Sequence, residues 1–418
     1  MMIKKTFILS SLLFAIAVNA QIPIARQNSE ADNKKVSEKM SSENLYREAY
    51  DLYEQEQYEQ ALKYINLALK GDGKNLDYYD LKCYILIKLQ KNNETIEAAT
   101  KAIALKPNDA KFYEIRGNTY YFDFQPEKAL VDFRKMISLD KTNSRYYNNY
   151  LKLLNEKRLD VEMKNLYPTF VKALPQIRDT PGKSFLHDVY FYFALPFERS
   201  GDDNKAIELL TEAIKLKSTG SMYYNNRGLI YQKKGDLKLA LKDLNKAIEL
   251  KPEEVDLYEN RFSIYFDDKN YENARKDLLK ILALGTSDGS IYVNLGNTYQ
   301  MQGKSKEAAE NYEIALKKSP KDIAVIGNTA YAYYEMGNTK KSLEYFERAL
   351  QIDAKEIDAL VGLAVLYQEN RDPMQREKIF KLIGSTTSYQ PTKNLLKDLM
   401  KESYTYTEKF QKAWEQLF

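Results

Sequence analysis

The sequence predicts an all-α fold, a solenoid of about ten two-helix units of 34 residues each. One spacing recurs between residues of the same type, with each pair 68 positions apart, or twice 34: Gly228 and Gly296, Tyr231 and Tyr299, Pro252 and Pro320. A glycine and a tyrosine three residues apart suit a helix face, and a later proline ends a helix. A repeat of this length indicates a pair of helices that stacks on its neighbours.

Residues 1–20 have the pattern of a secretory signal peptide. Two lysines precede an apolar run of 13 residues from Thr6 to Val18, and small residues follow at 18–20. A membrane-spanning helix would need about 20 apolar residues, and no later segment is apolar enough. We therefore expect export through a cleaved signal peptide, no transmembrane segment after cleavage, and a flexible polar leader over 21–41.

The units are located by the small residue that opens each second helix, and positions are counted from the first residue of each unit. The units begin at Ser42, Leu76, Ala110, Ser144, His187, Ser221, Val255, Gly289, Ile323 and Ile357. This gives units one to four over 42–177 and units five to ten over 187–390. The segment 178–186 contains Pro181-Gly182 and is expected to be an inserted loop. Residues 391–418 are amphipathic and are expected to form capping helices.

Within a unit, small residues at positions 8, 20 and 27 let two helices approach closely. Large residues at positions 4, 11 and 24 fill the space between units, and proline at position 32 stops the second helix. The predicted packing residues are Gly117, Tyr120, Ala129, Gly228, Tyr231, Ala240, Gly296, Tyr299 and Ala308, together with Pro107, Pro252 and Pro320. The unit at 144–177 departs most, with Leu151 and Met163 at two of the small positions.

This set of positions resembles the tetratricopeptide repeat family over roughly residues 42–390. The resemblance implies a right-handed superhelix whose first helices line a concave groove, with positions 2, 5, 6, 9 and 12 facing that groove. It also implies a binding surface for proteins or peptides. The pairs of basic residues that some members of the family use to hold a terminal carboxylate are not recognisable here.

Asparagine occupies position 6 in five units, namely Asn149, Asn226, Asn260, Asn294 and Asn328. Amide groups can pair with the backbone of an extended peptide without reading its sequence. The alternative is that these amides serve helix packing between units. Tyr331 and Tyr334, at positions 9 and 12, are further groove candidates, although an aromatic residue on a helix can equally belong to the core.

No catalytic, metal-binding or cofactor-binding constellation is recognisable in the sequence. The chain has one cysteine and one histidine, which exclude an intramolecular disulfide and a Cys/His zinc site. Cys83 lies at the small position 8 and is expected to be buried. The formal net charge is +4 and charges of both signs are interleaved, so no nucleic-acid surface is expected.

The sequence therefore favours a non-catalytic scaffold of the bacterial cell envelope that binds polypeptide partners in its groove. The expected location is the periplasm, the outer membrane or the exterior. The alternative is a periplasmic holding chaperone for extended client chains. Trp414, near the C terminus, either caps the solenoid or docks into a partner. The identity of the partner and the oligomeric state stay open.

Overall fold

The computed structural model describes residues 40–178, 185–401 and 406–418, and every regular element in this part of the chain is an α-helix. The predicted signal peptide, residues 21–39 of the predicted leader and residues 179–184 of the predicted loop lie outside the described residues. The described helices follow one another in pairs, which confirms the predicted all-α architecture of about ten two-helix units.

The first helices of the ten units are α1 (Ser42–Glu54), α3 (Leu76–Lys88), α5 (Ala110–Phe122), α7 (Ser144–Glu156), α9 (Leu186–Arg199), α11 (Ser221–Lys233), α13 (Val255–Asp267), α15 (Gly289–Gln300), α17 (Ile323–Glu335) and α19 (Ile357–Glu369). The second helices are α2 (Tyr58–Gly71), α4 (Asn92–Leu105), α6 (Pro126–Leu139), α8 (Asp160–Arg178), α10 (Asp203–Leu216), α12 (Leu237–Leu250), α14 (Tyr271–Ala283), α16 (Ser305–Lys318), α18 (Thr339–Ile352) and α20 (Pro373–Thr386). Two short helices follow, α21 (Leu395–Lys401) and α22 (Glu408–Glu415).

The chain divides into two compact bodies, an N-terminal body up to Leu153 and a C-terminal body from Leu154 onward. Within each body a first helix packs against the second helix of its own unit, and that second helix packs against the first helix of the next unit. Each unit therefore buries its apolar face only when a neighbour covers it, as expected for a repeat protein.

The small residues of the predicted packing set lie where two helices of one unit meet. Ala129, Ala240 and Ala308 are fully buried. A Cβ atom added at Gly117 would lie 2.7 Å from the Phe133 ring, and one added at Gly296 would lie 2.3 Å from the Tyr312 ring. A side chain at either position would therefore collide with the second helix.

The other residues of the predicted packing set lie at the edges of these contacts. Tyr120, Tyr231 and Tyr299 are half-buried, and Gly228 is buried. The three prolines are exposed, and each is the second residue after the end of a second helix: Pro107, Pro252 and Pro320. Two of their carbonyl oxygens accept a hydrogen bond from a tyrosine hydroxyl of the next first helix. Tyr113 donates to Pro107 at 3.2 Å, and Tyr258 donates to Pro252 at 3.0 Å. The prolines thus also fix the link between units.

The turn between the two helices of a unit has the same geometry in all ten units. In the first unit the N–H of Gln57 donates to the carbonyl of Leu52 and the N–H of Glu56 donates to the carbonyl of Tyr53, which is a Schellman ending. Position 15 has a positive φ angle in each unit. It is glycine at 201, 235, 303 and 337, and another residue at 56, 90, 124, 158, 269 and 371.

Candidate functional site

The surface built from positions 2, 5, 6, 9 and 12 of the first helices is named the inner face. In the N-terminal body its residues contact one another from unit to unit. The ring of Tyr46 stacks on that of Tyr78, a buried residue at position 3 of the next unit, with the centroids 5.0 Å apart, and Tyr78 donates to Glu43 at 3.4 Å. Lys111 pairs with Asp80 of the preceding unit. These contacts show that the face is continuous across helices α1, α3 and α5.

A second charged group continues the inner face from α5 to α7. Glu114 is buried, and it accepts hydrogen bonds from Arg145 at 2.8 Å and from Asn149 at 3.2 Å. Burial raises the pKa of Glu114, while Arg145 acts in the opposite direction. Acid at position 5 and base at position 2 of the next unit therefore neutralise each other along this face.

Large apolar side chains stand exposed between these charged pairs. Tyr50 is 47% exposed, Tyr84 is 39% exposed and Ile87 is 44% exposed. They occupy positions 9, 9 and 12 of the first two units. The ammonium of Lys111 lies 5.7 Å from the centroid of the Tyr84 ring. An exposed aromatic beside a satisfied charge is the type of side chain that anchors a protein interface.

The five asparagines at position 6 are all half-buried on the inner face. Asn149 donates to Glu114, as described, and Asn260 donates to Asn225 of the preceding unit at 2.9 Å. Asn226 donates to the carbonyl of Met222 in its own helix at 2.8 Å. For the side chains of Asn294 and Asn328 the described part of the chain provides no hydrogen-bond partner. Three of the five amides are thus already engaged within the protein, and contact with a ligand stays a prediction for the set.

Tyr331 and Tyr334 are on the inner face of α17, but the C-terminal segment of the chain covers them. The Phe410 ring lies edge-on to both, with centroid distances of 4.9 Å and 5.3 Å. Tyr334 is buried, and its hydroxyl donates to Glu369 at 2.7 Å. Ligand contact by these two tyrosines requires that the segment leave, and it stays a prediction.

Trp414 is also enclosed by its own chain. Its side chain is fully buried, its ring lies 6.1 Å from that of Phe380, and its Nε1–H donates to the carbonyl of Thr392 at 3.1 Å. In this structure Trp414 therefore closes the C-terminal end of the repeats and is not exposed to a partner.

A recurrent buried ion pair was not predicted from the sequence. Arg227 donates from Nε and a terminal nitrogen to both carboxylate oxygens of Asp243, at 2.7 and 2.9 Å, and from its other terminal nitrogen to Thr211 at 2.9 Å. The same arrangement joins Arg116 to Asp132 and Arg261 to Asp277. The spacing of 16 residues from Arg at position 7 to Asp at position 23 is the sequence signal that could have identified it.

The described residues provide no evident catalytic centre. Cys83 is fully buried, and burial raises the pKa of its thiol to about 12. His187 lies 2.7 Å from the hydroxyl of Tyr223, which donates to Asp188 at 2.6 Å, so it takes part in the contact between two first helices. Within residues 40–178, 185–401 and 406–418, no group of three or more His, Cys, Asp or Glu side chains is placed to hold a metal ion. No helix in the same residues has the length and apolar character needed to cross a bilayer.

Two family models for the tetratricopeptide repeat match the chain, one over residues 221–254 and the other over residues 293–357. Both matches fall on helix pairs of the C-terminal body, and the remaining pairs have the same turn geometry. The chain is a tetratricopeptide repeat protein. Repeats of this kind are protein-interaction modules, and this is the class of function that they support here.

Curated relatives of this tetratricopeptide repeat protein match it over short stretches. A DnaJ homolog subfamily C member 3 homolog from Dictyostelium discoideum is 33% identical over 91 residues, which are 21% of this chain and 18% of the relative. The Hsp70-Hsp90 organizing protein from Triticum aestivum is 24% identical over 135 residues, which are 31% of this chain and 23% of the relative. The chain therefore matches less than a quarter of the length of either relative.

Solved structures that align with the chain include those of yeast Tom70 and YrrB. Tom70 is 14% identical with a TM-score of 0.34, over 90% of this chain and 96% of that chain. YrrB, described as a TPR protein with an unusual peptide-binding site, is 20% identical with a TM-score of 0.37, over 42% of this chain and 90% of that chain.

Proposed function

We propose that this tetratricopeptide repeat protein is a non-catalytic scaffold of the bacterial cell envelope, which binds polypeptide partners on the inner face of its repeats. The observation that carries the proposal is the set of exposed apolar side chains at Tyr50, Tyr84 and Ile87 on that face. Because the charges of Asp80 with Lys111 and of Glu114 with Arg145 are paired, a partner can cover these side chains without leaving either pair broken.

The envelope location rests on the sequence of residues 1–20, whose lysines, apolar run and small residues have the order of a secretory signal. Fractionation of cells that carry an epitope-tagged chain would test it. We expect the protein in the periplasmic or membrane fraction, shortened by about 20 residues as judged by the N-terminal sequence. An unprocessed chain in the cytoplasm would overturn the export part of the proposal.

Affinity capture after crosslinking in cells tests the scaffold itself. The test variant carries Tyr50→Ala, Tyr84→Ala and Ile87→Ala. Its matched control carries Leu105→Ala and Val131→Ala, which are exposed apolar residues on second helices. We expect one or two dominant partners that are lost from the test variant and retained by the control. Equal capture by the wild type and both variants would place the interface elsewhere.

A holding chaperone is the second candidate, supported by the names of the two curated relatives, a DnaJ homolog subfamily C member 3 homolog and the Hsp70-Hsp90 organizing protein. It predicts weak binding of many extended chains through the position-6 amides. The engagement of Asn149 and Asn260 with neighbouring units speaks against it. Suppression of aggregation of an unfolded reference protein, lost when Asn294 and Asn328 are changed to alanine, would favour the chaperone over the scaffold.

A further inference from the structure

The C-terminal helix α22 shows how a helix binds to the inner face. The helix and the two residues before it contact four residues at positions 9, 12 and 13 of one unit and position 2 of the next: Tyr331, Tyr334, Glu335 and Asp358, the last of them through Tyr406. Phe410 lies edge-on to both tyrosine rings. Thr407 caps α22 by accepting the N–H of Phe410 at 3.2 Å, and its hydroxyl donates to Glu335. Lys409 donates to the carbonyl of Tyr334 at 3.0 Å, with its ammonium 4.5 Å from that ring centroid.

The same four residue types recur at the same four positions in units one and two: Tyr50, Tyr53, Glu54 and Asp77. Among the nine pairs of adjacent units between residues 42 and 390, only these two pairs have the set. Here Tyr50, Glu54 and Asp77 are exposed and Tyr53 is half-buried, and no helix of the described chain is seated on them. We call each set of four residues a seat. Within the described residues, the seat at Tyr331, Tyr334, Glu335 and Asp358 is occupied, and the seat of the same composition in units one and two is open.

The two seats differ at position 5, and this difference refines the ligand. At the occupied seat position 5 is Gly327, where an added Cβ would lie 3.1 Å from Oδ2 of Asp358, and Tyr406 donates to that carboxylate at 2.8 Å. At the open seat position 5 is Tyr46, which stacks on Tyr78. At the open seat the aromatic ring beside the four residues is therefore that of Tyr46, which belongs to the repeat itself. A ligand of the open seat does not need an aromatic residue equivalent to Tyr406.

We propose that the open seat formed by Tyr50, Tyr53, Glu54 and Asp77 binds a helix of a partner protein that presents a capping threonine, a lysine and a phenylalanine in the order found at residues 407–410. The charges suit this ligand. Glu54 and Asp77 are anionic, and the seat includes the C-terminal end of α1, where helix carbonyls attract a lysine. Carboxylates also favour the N-terminal end of a bound helix.

The chain's own α22 is not the source of this ligand. Phe410 and Trp414 are fully buried in their own seat, and withdrawing them would expose two large aromatic side chains. A segment of another protein has no such cost. This inference rests on the proposed scaffold function and specifies the chemistry of one partner.

A fluorescent peptide of residues 406–418 is the probe, and its binding to the full chain is measured by anisotropy. We expect saturable binding that weakens at least tenfold for a chain carrying Tyr50→Ala and Asp77→Asn. A chain carrying Leu105→Ala is the control, because Leu105 is likewise an exposed apolar side chain but lies on the second helix α4 and not on the inner face. We expect less than a twofold change for this control. Peptides with Lys409→Ala and Phe410→Ala together should lose binding, and a peptide with Tyr406→Ala should retain it.

The position of the bound peptide is checked with a photoreactive phenylalanine at position 410. Crosslinks to residues 50–77 support the proposal, and crosslinks confined to residues 331–369 would show simple exchange with α22 and overturn it. Absence of binding, or equal binding by the Tyr50→Ala, Asp77→Asn chain, would also overturn it. If the chain forms a concentration-dependent dimer that these two substitutions abolish, the ligand of the open seat is a second copy of the chain and not a partner protein, which would overturn the proposal. If the peptide fails while the capture experiment succeeds, the open seat is excluded and the scaffold stands.

Discussion

Alanine at Gly296 and at Gly228 should have opposite consequences, although both glycines occupy position 8. A Cβ at 296 would lie 2.3 Å from Cε1 and 2.5 Å from Cδ1 of Tyr312. That ring is fully buried and held by a 2.8 Å hydrogen bond from its hydroxyl to Asn297, so it cannot move aside freely. A Cβ at 228 would lie 3.2 Å from the Ala240 carbonyl oxygen and 3.3 Å from Leu244, which needs a shift of only a few tenths of an ångström.

The expected free energies follow from three terms. Alanine in place of glycine stabilises a helix interior by about 1 kcal/mol in both variants. Overpacking at Gly296 costs about 1–3 kcal/mol, and displacing Tyr312 weakens a hydrogen bond of about 1 kcal/mol. The Gly296→Ala chain should therefore be less stable than the wild type by about 1–3 kcal/mol. The Gly228→Ala chain should lie within about 1 kcal/mol of it, since the helix term offsets the milder contact.

Urea denaturation followed by circular dichroism measures both variants, and hydrogen exchange within residues 289–318 reports the local change. A second substitution, Tyr312→Leu, removes the ring that the new Cβ would meet. The loss of stability caused by Tyr312→Leu should therefore be smaller in the Gly296→Ala chain than in the wild type. If Gly296→Ala proves as stable as Gly228→Ala, or if the effects of Gly296→Ala and Tyr312→Leu simply add, the close approach of helices α15 and α16 is not what requires glycine.

Three further outcomes are expected. Asp243→Asn should destabilise the chain by about 3 kcal/mol in urea titrations, because it leaves the half-buried Arg227 guanidinium without its carboxylate partner. In contrast, Asp243→Leu with Arg227→Met should stay within about 1 kcal/mol of the wild type. A single-substitution loss no larger than that of the double variant would contradict this. Desolvation raises the pKa of Asp358 from 3.8 to about 6. The contribution of this carboxyl group to the free energy of unfolding is therefore fully present below about pH 4 and is lost as the pH rises through 6. Between pH 4 and 7 the free energy of unfolding from urea titrations should therefore fall for the wild type relative to Asp358→Asn, by about 2 kcal/mol in all. Parallel pH curves would refute the assignment. Cys83 should resist a thiol reagent at pH 8 until urea unfolds the chain, and rapid labelling of the folded protein would show that its thiol is accessible.

The helix pairs could be predicted from the sequence because the information that specifies them is local and repeated. The first helices begin at the residues inferred from the repeat, with the single exception of Leu186 in place of His187. Even the unit with Leu151 and Met163 at small positions forms its two helices, and both side chains are fully buried. Helix formation thus depends on the spacing as a whole and tolerates departures at single positions.

The features that were missed depend on contacts between distant residues. The asparagines at position 6 were identified by their period, but the period does not show that Asn149 is engaged by Glu114, 35 residues away. The covering of Tyr331 by Phe410 joins residues 79 positions apart that belong to no common repeat. The Arg227–Asp243 pair does follow a period, but it recurs in only three units and lies at positions outside the packing set.

The turn at position 15 has a consequence for how this chain can change. Six units place a side chain other than glycine in the left-handed backbone region, where an L residue is disfavoured by about 1 kcal/mol. These turns belong to different units and make no use of the inner face. Glycine could therefore be introduced at residues 56, 90, 124, 158, 269 and 371 one after another, with gains that nearly add. Such a series would raise thermal tolerance while leaving recognition untouched, which makes the chain a suitable starting framework for engineered binders.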